Sequence, residues 1–179
     1  MDGDVWADIK AAVDDMDVGV LVNNAGASHD PAHLHDIDPS AIDRVIAVNN
    51  SSVVKLTHLV LPGMVSRGRG AIVNVSTSFT TAIPAAPFLS LYTASKGFID
   101  TFSKALSAEY SPLGIDVQVR SCLSSADLSR SSMLPFAMKL CLELFWDPHR
   151  RPRSSSVMIF KLICTTVSSL KMLNIAEAR

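Results

Sequence analysis

Three short apolar runs, separated by segments of helical periodicity, constrain the fold of this chain more than any other feature. The runs are Val18–Val22, Ala71–Val75 and Ile115–Val119. Between them, apolar residues recur at helical spacing from Ile42 to Val65 and again from about Leu91 to Tyr110. Continuous apolar strands that alternate with helices are typical of a parallel sheet covered on both faces. The sequence therefore predicts an α/β fold built on crossover helices.

Local signals refine this prediction. Apolar residues at helical spacing predict a short amphipathic helix at Asp4–Met16. Asp38 followed by Pro39 is the pattern of an N-cap with proline at the first helical position. Pro62-Gly63 is expected to interrupt the helix that follows. The stretch Ser76–Ser90, rich in Ser, Thr, Pro and Ala, is predicted to be a long loop, which suggests a functional role.

The composition divides the chain near position 120. All 8 glycines lie at or before Gly114, and all 3 cysteines follow it. Residues 1–119 carry 7 Lys/Arg and 13 Asp/Glu, whereas residues 120–179 carry 9 and 4. We therefore expect two unlike pieces, a domain at 1–119 and a divergent tail at 120–179. Within the tail, the pattern predicts an amphipathic helix at Leu134–Trp146 and a basic linker at Arg150–Ser156.

The composition also excludes several classes of protein. A net charge of −1 gives no reason to expect a nucleic-acid partner. No stretch reaches the roughly 20 apolar residues of a membrane-spanning helix, and the acidic N-terminus does not resemble a signal peptide. The cysteines have no C-x-x-C spacing, and His29, His33 and His35 lack acidic or thiol ligands at a defined spacing. No metal site is predicted.

Tyr92 and Lys96 are the residues best suited to chemistry. They are four positions apart, so one turn of a helix places both on the same face. A neighbouring ammonium favours the tyrosine anion and lowers the pKa of the tyrosine hydroxyl, which makes the pair suitable for general acid–base work. The alternative is a half-buried tyrosine beside a solvated lysine.

Three further features accompany this pair. The turn Asn23–Gly26 follows the first apolar run, and the loop Ser76–Ser90 follows the second. Asn49 lies inside the helical segment, where asparagine is disfavoured unless its side chain has a role. Ligands of parallel sheets bind beyond the carboxyl ends of the strands, where both the turn and the loop fall. We therefore expect one constellation of residues at this edge.

These motifs resemble the short-chain dehydrogenase/reductase family. The segments that carry the resemblance are Leu21–Gly26, Val48-Asn49, Ile72–Val75 with its Ser/Thr tail, and Tyr92–Lys96. Within that family, the chain looks most similar to the very-long-chain 3-oxoacyl-CoA reductase branch, which is related to 17-beta-hydroxysteroid dehydrogenases. This finer match rests on Leu61–Met64, Gly70–Asn74, Tyr92–Asp100, Glu109-Tyr110 and Gly114–Gln118.

The resemblance implies a catalytic set. Tyr92 would donate a proton to a carbonyl as NADPH delivers hydride. Lys96 would bind the nicotinamide ribose and depress the pKa of the tyrosine, and Asn49 would hold a water in the proton relay. The serine that binds the substrate carbonyl in this family corresponds to Ser78 when counted back from Tyr92, whereas counting along the strand selects Thr77, and the preceding Ser76 also stays open. We favour Ser78.

The resemblance also implies the cofactor NADP and a partial Rossmann-like fold, so that residues 1–119 would form a partial NAD(P)-binding reductase domain. The residues that would bind NADP are Asn23, Ala25, Gly26, Tyr92 and Lys96. The family holds its dinucleotide on a glycine-rich turn, but this sequence contains no G-x-x-x-G-x-G. Only 17 residues precede Val18, fewer than the roughly 30 that one βαβ unit needs. We therefore expect a doubly wound parallel sheet that lacks its first βαβ units.

Three functions stay open from the sequence. The first is NADP-dependent reduction of a 3-oxoacyl-CoA, as in fatty-acid elongation, which implies an acyl-CoA or another hydrophobic ketone as substrate and the endoplasmic reticulum as location. The second is a non-catalytic interaction module that pairs, through an exposed sheet edge, with itself or with intact homologues. The third is reduction of a steroid ketone.

Overall fold

A computed structural model of the chain describes residues 3–14, 16–122, 157–161 and 174–178. The helices and strands follow the predicted alternation. In chain order they are α1 (Gly3–Asp14), β1 (Val20–Asn23), α2 (Pro39–Ile46), a π-helical turn (Ala47–Ser51), α3 (Ser52–Arg67), β2 (Gly70–Thr77), α4 (Phe79–Ala82), α5 (Ser90–Tyr110), β3 (Ile115–Cys122), β4 (Val157–Lys161) and β5 (Asn174–Ala178).

The first three strands form one parallel sheet in the order β1-β2-β3. Leu21 pairs with Ile72, and Ile72 pairs with Val117, so these three side chains lie on the same face. All residues of β1 and β2 are buried, as expected for strands covered on both faces. The predicted partial, Rossmann-like parallel sheet is thereby confirmed. The last two strands form a separate antiparallel pair.

The hydrophobic core lies between this sheet and three helices. Leu21, Ile72 and Ile115 are essentially inaccessible to solvent, and Met64 of α3 packs against them. Val13 of α1 and Leu106 of α5 belong to the same cluster. Each such side chain contributes roughly 1.5–3 kcal/mol when it is fully buried. The core therefore fixes α3 and α5 against the sheet whose carboxyl edge carries the candidate site.

The helical segment after β1 begins as the sequence predicts but ends differently. The carboxylate of Asp38 accepts a hydrogen bond of 2.7 Å from the backbone N–H of Ser40, and Pro39 is the first residue of α2. The expected interruption at Pro62-Gly63 is wrong, because Pro62 lies inside α3 and the helix ends at Gly68 (φ 62°). Buried side chains on both sides of the proline pack on the core and hold the helix together despite the missing N–H donor.

Other boundaries move by a few residues. The predicted loop Ser76–Ser90 is shorter than expected, because β2 continues to Thr77 and α4 occupies Phe79–Ala82. The strand predicted to end at Val119 runs to Cys122. The tail predictions, Leu134–Trp146 and Arg150–Ser156, lie outside the described residues. None of the helices in the described part of the chain combines the length and the apolar character that a membrane crossing requires.

Candidate functional site

The candidate site lies at the edge of the sheet where β1 and β2 end. Three segments converge there: the turn that follows β1, the π-helical turn between α2 and α3, and the beginning of α5. A π-helical turn is rare in proteins and occurs frequently at functional sites. The convergence is maintained by two buried side chains, Asn49 and Lys96, which are 1% and 5% exposed.

Asn49 connects the turn after β1 to helix α5. Its side-chain oxygen accepts a hydrogen bond of 2.7 Å from the N–H of Ala27. Its side-chain nitrogen donates to the carbonyl of Ala27 (2.9 Å) and to Oγ of Ser95 (2.8 Å). Both amide protons of Asn49 are therefore engaged within the protein, which explains why a polar residue disfavoured in helices occupies this position.

Ser95 extends this connection to the residue predicted to be the acid. Its hydroxyl donates to the backbone carbonyl of Tyr92 at 2.7 Å while it accepts from Asn49. The neighbouring Asn50 donates from its side chain to the carbonyl of Ser95 at 2.9 Å. The first turn of α5 is thereby fixed to the π-helical turn from two sides.

Lys96 lies under the turn that follows β1. Its Nζ donates a hydrogen bond of 3.0 Å to the carbonyl of Val75, at the end of β2. A Cβ built on Gly26 would stand 3.4 Å from this Nζ and 3.8 Å from Oδ1 of Asn49. The structure therefore brings together Gly26, Asn49 and Lys96, three of the residues singled out from the sequence.

Tyr92 lies on the helix that carries Lys96, and Ser78 follows the strand whose carbonyl accepts from Lys96. Tyr92 lies in the first turn of α5, half-buried and one helical turn before Lys96, as its spacing predicts. Ser78 is half-buried directly after β2, and its carbonyl accepts a hydrogen bond of 2.7 Å from the N–H of Ala82. Thr77, the alternative to Ser78, is buried at the end of the strand, with its hydroxyl 3.4 Å from the N–H of Phe79.

Asn23 lies in a different network from Lys96. Its side-chain nitrogen donates to Oδ1 of Asn74 (2.8 Å) and lies 3.3 Å from the hydroxyl of Thr57. Asn74 in turn donates to Oγ of Ser103 at 2.8 Å. This buried network joins β1, β2, α3 and α5. The side-chain oxygen of the adjacent Asn24 is buried and has no hydrogen-bond partner among the described residues.

Sequence reasoning missed several polar residues that build the site. Ser95 and Asn74 lie within motifs quoted for the family resemblance, but neither was assigned a role. Ser95 lies three residues after Tyr92, and this helical spacing is a signal that its hydroxyl could reach the carbonyl of that residue. No comparable local signal identifies the partners of Asn74, because they come from distant parts of the chain.

The histidines that follow β1 form an aromatic cluster. The rings of His33 and His35 stack with their centroids 5.5 Å apart, and His33 meets the edge of Phe88 at 5.0 Å. In the part of the chain that the structure describes, no group of three or more His, Cys, Asp or Glu side chains is arranged to hold a metal ion.

Comparisons with known proteins agree with this fold. A family model described as short chain dehydrogenase matches residues 2–124. The very-long-chain 3-oxoacyl-CoA reductase of Anas platyrhynchos is 43% identical over 118 residues, which are 64% of this chain and 37% of the relative. The chain thus spans little more than a third of the length of the curated relatives it matches.

Solved structures show the same likeness. A short-chain dehydrogenase from Sphingobium yanoikuyae in complex with NADPH has a TM-score of 0.60 and 31% identity, covering 66% of this chain and 46% of that one. A 3-ketoacyl-(acyl-carrier-protein) reductase from Brucella melitensis complexed with NADH has a TM-score of 0.60 and 30% identity, covering 67% of this chain and 51% of that one.

Proposed function

This chain belongs to the short-chain dehydrogenase family, and we propose that it carries the reaction centre of an NADP-dependent reductase of 3-oxoacyl-CoA. The observation that carries the proposal is the convergence of Gly26, Asn49 and Lys96 at the carboxyl edge of the sheet. The substrate class comes from the relatives named very-long-chain 3-oxoacyl-CoA reductase. NADP rather than NAD is part of the proposal, since relatives of known structure hold either cofactor.

Part of the site fits a nicotinamide cofactor. Because Gly26 has no side chain, the space directly beside Nζ of Lys96 is open. The buried side-chain oxygen of Asn24, which has no hydrogen-bond partner among the described residues, could accept a hydrogen bond from the cofactor. A lysine at this position would bind the hydroxyls of a ribose, because its ammonium carries three N–H donors and lies beside the open space at Gly26. We propose that Ala25 and Gly26 line the adenosine side, together with the backbone of Asn23.

In the proposed reaction the cofactor would supply the hydride, and side chains of the protein would supply the proton and hold the reacting groups. A reduced nicotinamide, when bound, supplies the hydride that the carbonyl carbon gains. Tyr92 would donate the proton from its hydroxyl to the carbonyl oxygen, which turns the ketone into an alcohol. Ser78 would hold that oxygen by a hydrogen bond, and Lys96 would stabilise the tyrosine anion left behind. Asn49 would keep the turn after β1 at its working distance from Tyr92 and Lys96.

The pyrophosphate of a dinucleotide is the part that this chain fits least. The sequence has no G-x-x-x-G-x-G turn, and such a turn with the helix behind it supplies the main anion-binding site in dinucleotide folds. We therefore expect weak cofactor binding, governed by the nicotinamide and ribose half. This expectation makes binding, rather than turnover, the first property to test.

The test is the melting temperature of the full chain with and without NADPH. At a concentration about tenfold above Kd, binding should raise the melting temperature by about 3–6 °C. Lys96→Met should abolish the rise, whereas Lys104→Met, an exposed lysine of the same helix, should leave it intact. NADH in place of NADPH tests the choice of cofactor. No rise at millimolar NADPH in the wild type would contradict the proposal.

A second test addresses the substrate. Once binding is established, turnover is compared on a long-chain 3-oxoacyl-CoA and on a steroid ketone at equal NADPH. The proposal expects oxidation of NADPH with the thioester, and Tyr92→Phe should remove it because this variant lacks the proton donor. Preference for the steroid ketone would place the chain with the hydroxysteroid dehydrogenases instead.

A second candidate function is an interaction module, and the position of β3 favours it. β3 pairs with β2 on one side, and none of the described strands pairs with it on the other. The outer side of β1 is less open, because β4 lies alongside it. An edge strand presents unpaired N–H and C=O groups to another strand. We propose as its partner a second copy or a longer member of the family.

Light scattering coupled to size exclusion tests this candidate, with the chain alone and mixed with a longer relative. The interaction module predicts a dimer or a mixed complex. Val119→Pro should weaken it, because the N–H of Val119 faces away from β2, while circular dichroism monitors folding. A monomer under both conditions contradicts it. The division of the chain into 1–119 and 120–179 likewise stays a proposal, which limited proteolysis of the full chain can test.

A further inference from the structure

A buried carboxylate of α5, Asp100, faces the short segment that follows β2. Asp100 is 8% exposed and lies one helical turn after Lys96. Its Oδ2 is 2.5 Å from the hydroxyl of Thr80, which belongs to α4. Its Oδ1 is buried and has no hydrogen-bond partner among the described residues. Burial of a carboxylate costs free energy unless its partners are well placed, so this contact needs a reason.

The hydroxyl of Thr80 joins three segments. Besides Asp100, it lies 2.8 Å from the carbonyl of Thr77, the last residue of β2. A threonine hydroxyl has a single proton, so it can donate to only one of these two oxygens at a time. The N–H of Ala82 closes the same short segment by donating to the carbonyl of Ser78 at 2.7 Å. Ser78 therefore lies in a short segment that the hydroxyl of Thr80 can join either to β2 or to α5.

We infer that Asp100 is a positioning residue, which fixes Ser78 through Thr80 at the end of β2. The inference rests on the proposed function in one respect only, namely that Ser78 binds the substrate carbonyl. The hydrogen bond between Asp100 and Thr80, here called the tie, is present whether or not Ser78 has that role. α5 carries Tyr92 and Lys96 on the turns preceding Asp100. The same helix therefore fixes the positions of the proposed acid, Tyr92, and of the segment that contains Ser78.

The proton count of Thr80 predicts how variants behave. Asp100→Ala removes the tie. Asp100→Asn keeps it, because the amide can donate to Oγ1 of Thr80 and leave the threonine proton for the carbonyl of Thr77. Thr80→Val removes the hydroxyl at nearly constant shape, whereas Thr80→Ser retains it. Glu109→Ala, which removes an exposed carboxylate of the same helix, is the matched control.

Amide hydrogen exchange of the full chain tests the inference, with the N–H of Ala82 as the reporter. We expect exchange at Ala82 to be about tenfold faster in Asp100→Ala and Thr80→Val, since the loss of one buried hydrogen bond corresponds to roughly that factor. Asp100→Asn, Thr80→Ser and Glu109→Ala should exchange at the wild-type rate. The amide of Leu106, six residues further along α5, should not change in any variant.

Three results would overturn the inference. Unchanged exchange at Ala82 in Asp100→Ala would mean that the tie does not hold the loop. An equal acceleration at Leu106 would mean that Asp100 only stabilises the fold as a whole. Acceleration in Asp100→Asn as large as in Asp100→Ala would mean that the hydrogen bond to Thr80 is not what matters.

The experiment separates this inference from the proposed function. If the wild type fails to bind NADPH, the exchange of Ala82 still decides whether Asp100 positions the loop. If the wild type binds NADPH, Asp100→Ala should keep the NADPH-dependent rise in melting temperature. The same variant should raise KM for the ketone, because Asp100 acts through Thr80 on Ser78, which would bind the substrate carbonyl.

Discussion

A Cβ built on Gly26 would stand 3.4 Å from Nζ of Lys96, at the limit of ordinary van der Waals contact. The turn after β1 and helix α5 therefore approach each other so closely that hydrogen is the only substituent that leaves free space between them. Because this Nζ also donates to the carbonyl of Val75, the ammonium has little freedom to withdraw.

Gly26→Ala and Gly26→Val should differ sharply. The alanine methyl fits at contact distance, so the melting temperature should stay within about 2 °C of the wild type. The valine adds two methyl groups against a buried ammonium and should displace Nζ, which removes the NADPH-dependent rise in melting temperature. A retained rise in Gly26→Val, measured on folded protein, would show that the space beside Lys96 is not used.

Asn74→Ala should destabilise the chain by about 1–3 kcal/mol, because Asn74 is completely buried and its loss removes the buried hydrogen bonds to Asn23 and Ser103. Urea unfolding monitored by circular dichroism measures this change. Thr101→Ala, which removes an exposed hydroxyl from α5, is the control and should change the stability by less than about 0.5 kcal/mol. Equal losses in the two variants would contradict a role for the network.

Gly68 and Gly114 both have a left-handed backbone conformation, but alanine should destabilise the chain by different amounts at the two positions. Gly68 has φ of 62° and open space around it, so Gly68→Ala should cost only the backbone strain of about 1–2 kcal/mol. Gly114 has φ of 80°, and a Cβ there would lie 2.2 Å from the carbonyl oxygen of Gly68. Gly114→Ala should therefore cost about 3 kcal/mol or more. Thermal unfolding of both variants checks the order, and a smaller loss in Gly114→Ala would contradict the close approach.

The start of α2 should respond to acid. Hydrogen bonds from the hydroxyl and the backbone N–H of Ser40 lower the pKa of Asp38. The stabilisation by ionised Asp38 is therefore fully present above its ordinary pKa of about 3.9 and is lost as the pH falls through the lower pKa of the folded state. At pH 6 the melting temperature of the wild type should be higher than that of Asp38→Ala, and the difference between the two melting temperatures should shrink towards pH 3. A constant difference would contradict the hydrogen-bonded cap.

The strands and the spacing of the reactive pair were predictable because both depend on neighbours in the sequence. A run such as Ala71–Val75 can be buried on both faces only as a central strand, and β2 contains it. Likewise, Tyr92 and Lys96 share a face in any helix. The capping carboxylate of Asp38 was found for the same reason, since its partner is two residues away.

The remaining parts of the site depend on contacts between distant segments. Nothing near Asn49 in the sequence reveals that Ala27 and Ser95 are its partners, 22 and 46 residues away. The same applies to Pro62, where a local rule predicts a break but burial of the neighbouring side chains in the core preserves α3. The tie between Thr80 and Asp100 spans 20 residues and has no local signature.

The extra residue of the π-helical turn serves the candidate site and is not needed by the fold. Such a turn holds one residue more than an α-helix needs, and each residue of a helix advances the chain by about 100° around the axis. Removing one residue between Ala47 and Ser51 would regularise the helix, so that α2 and α3 could still cover the sheet. Asn49 would then no longer meet Ala27 and Ser95. The extra residue is a spacer for one side chain, and the chain could lose its site by a single codon deletion while keeping its fold.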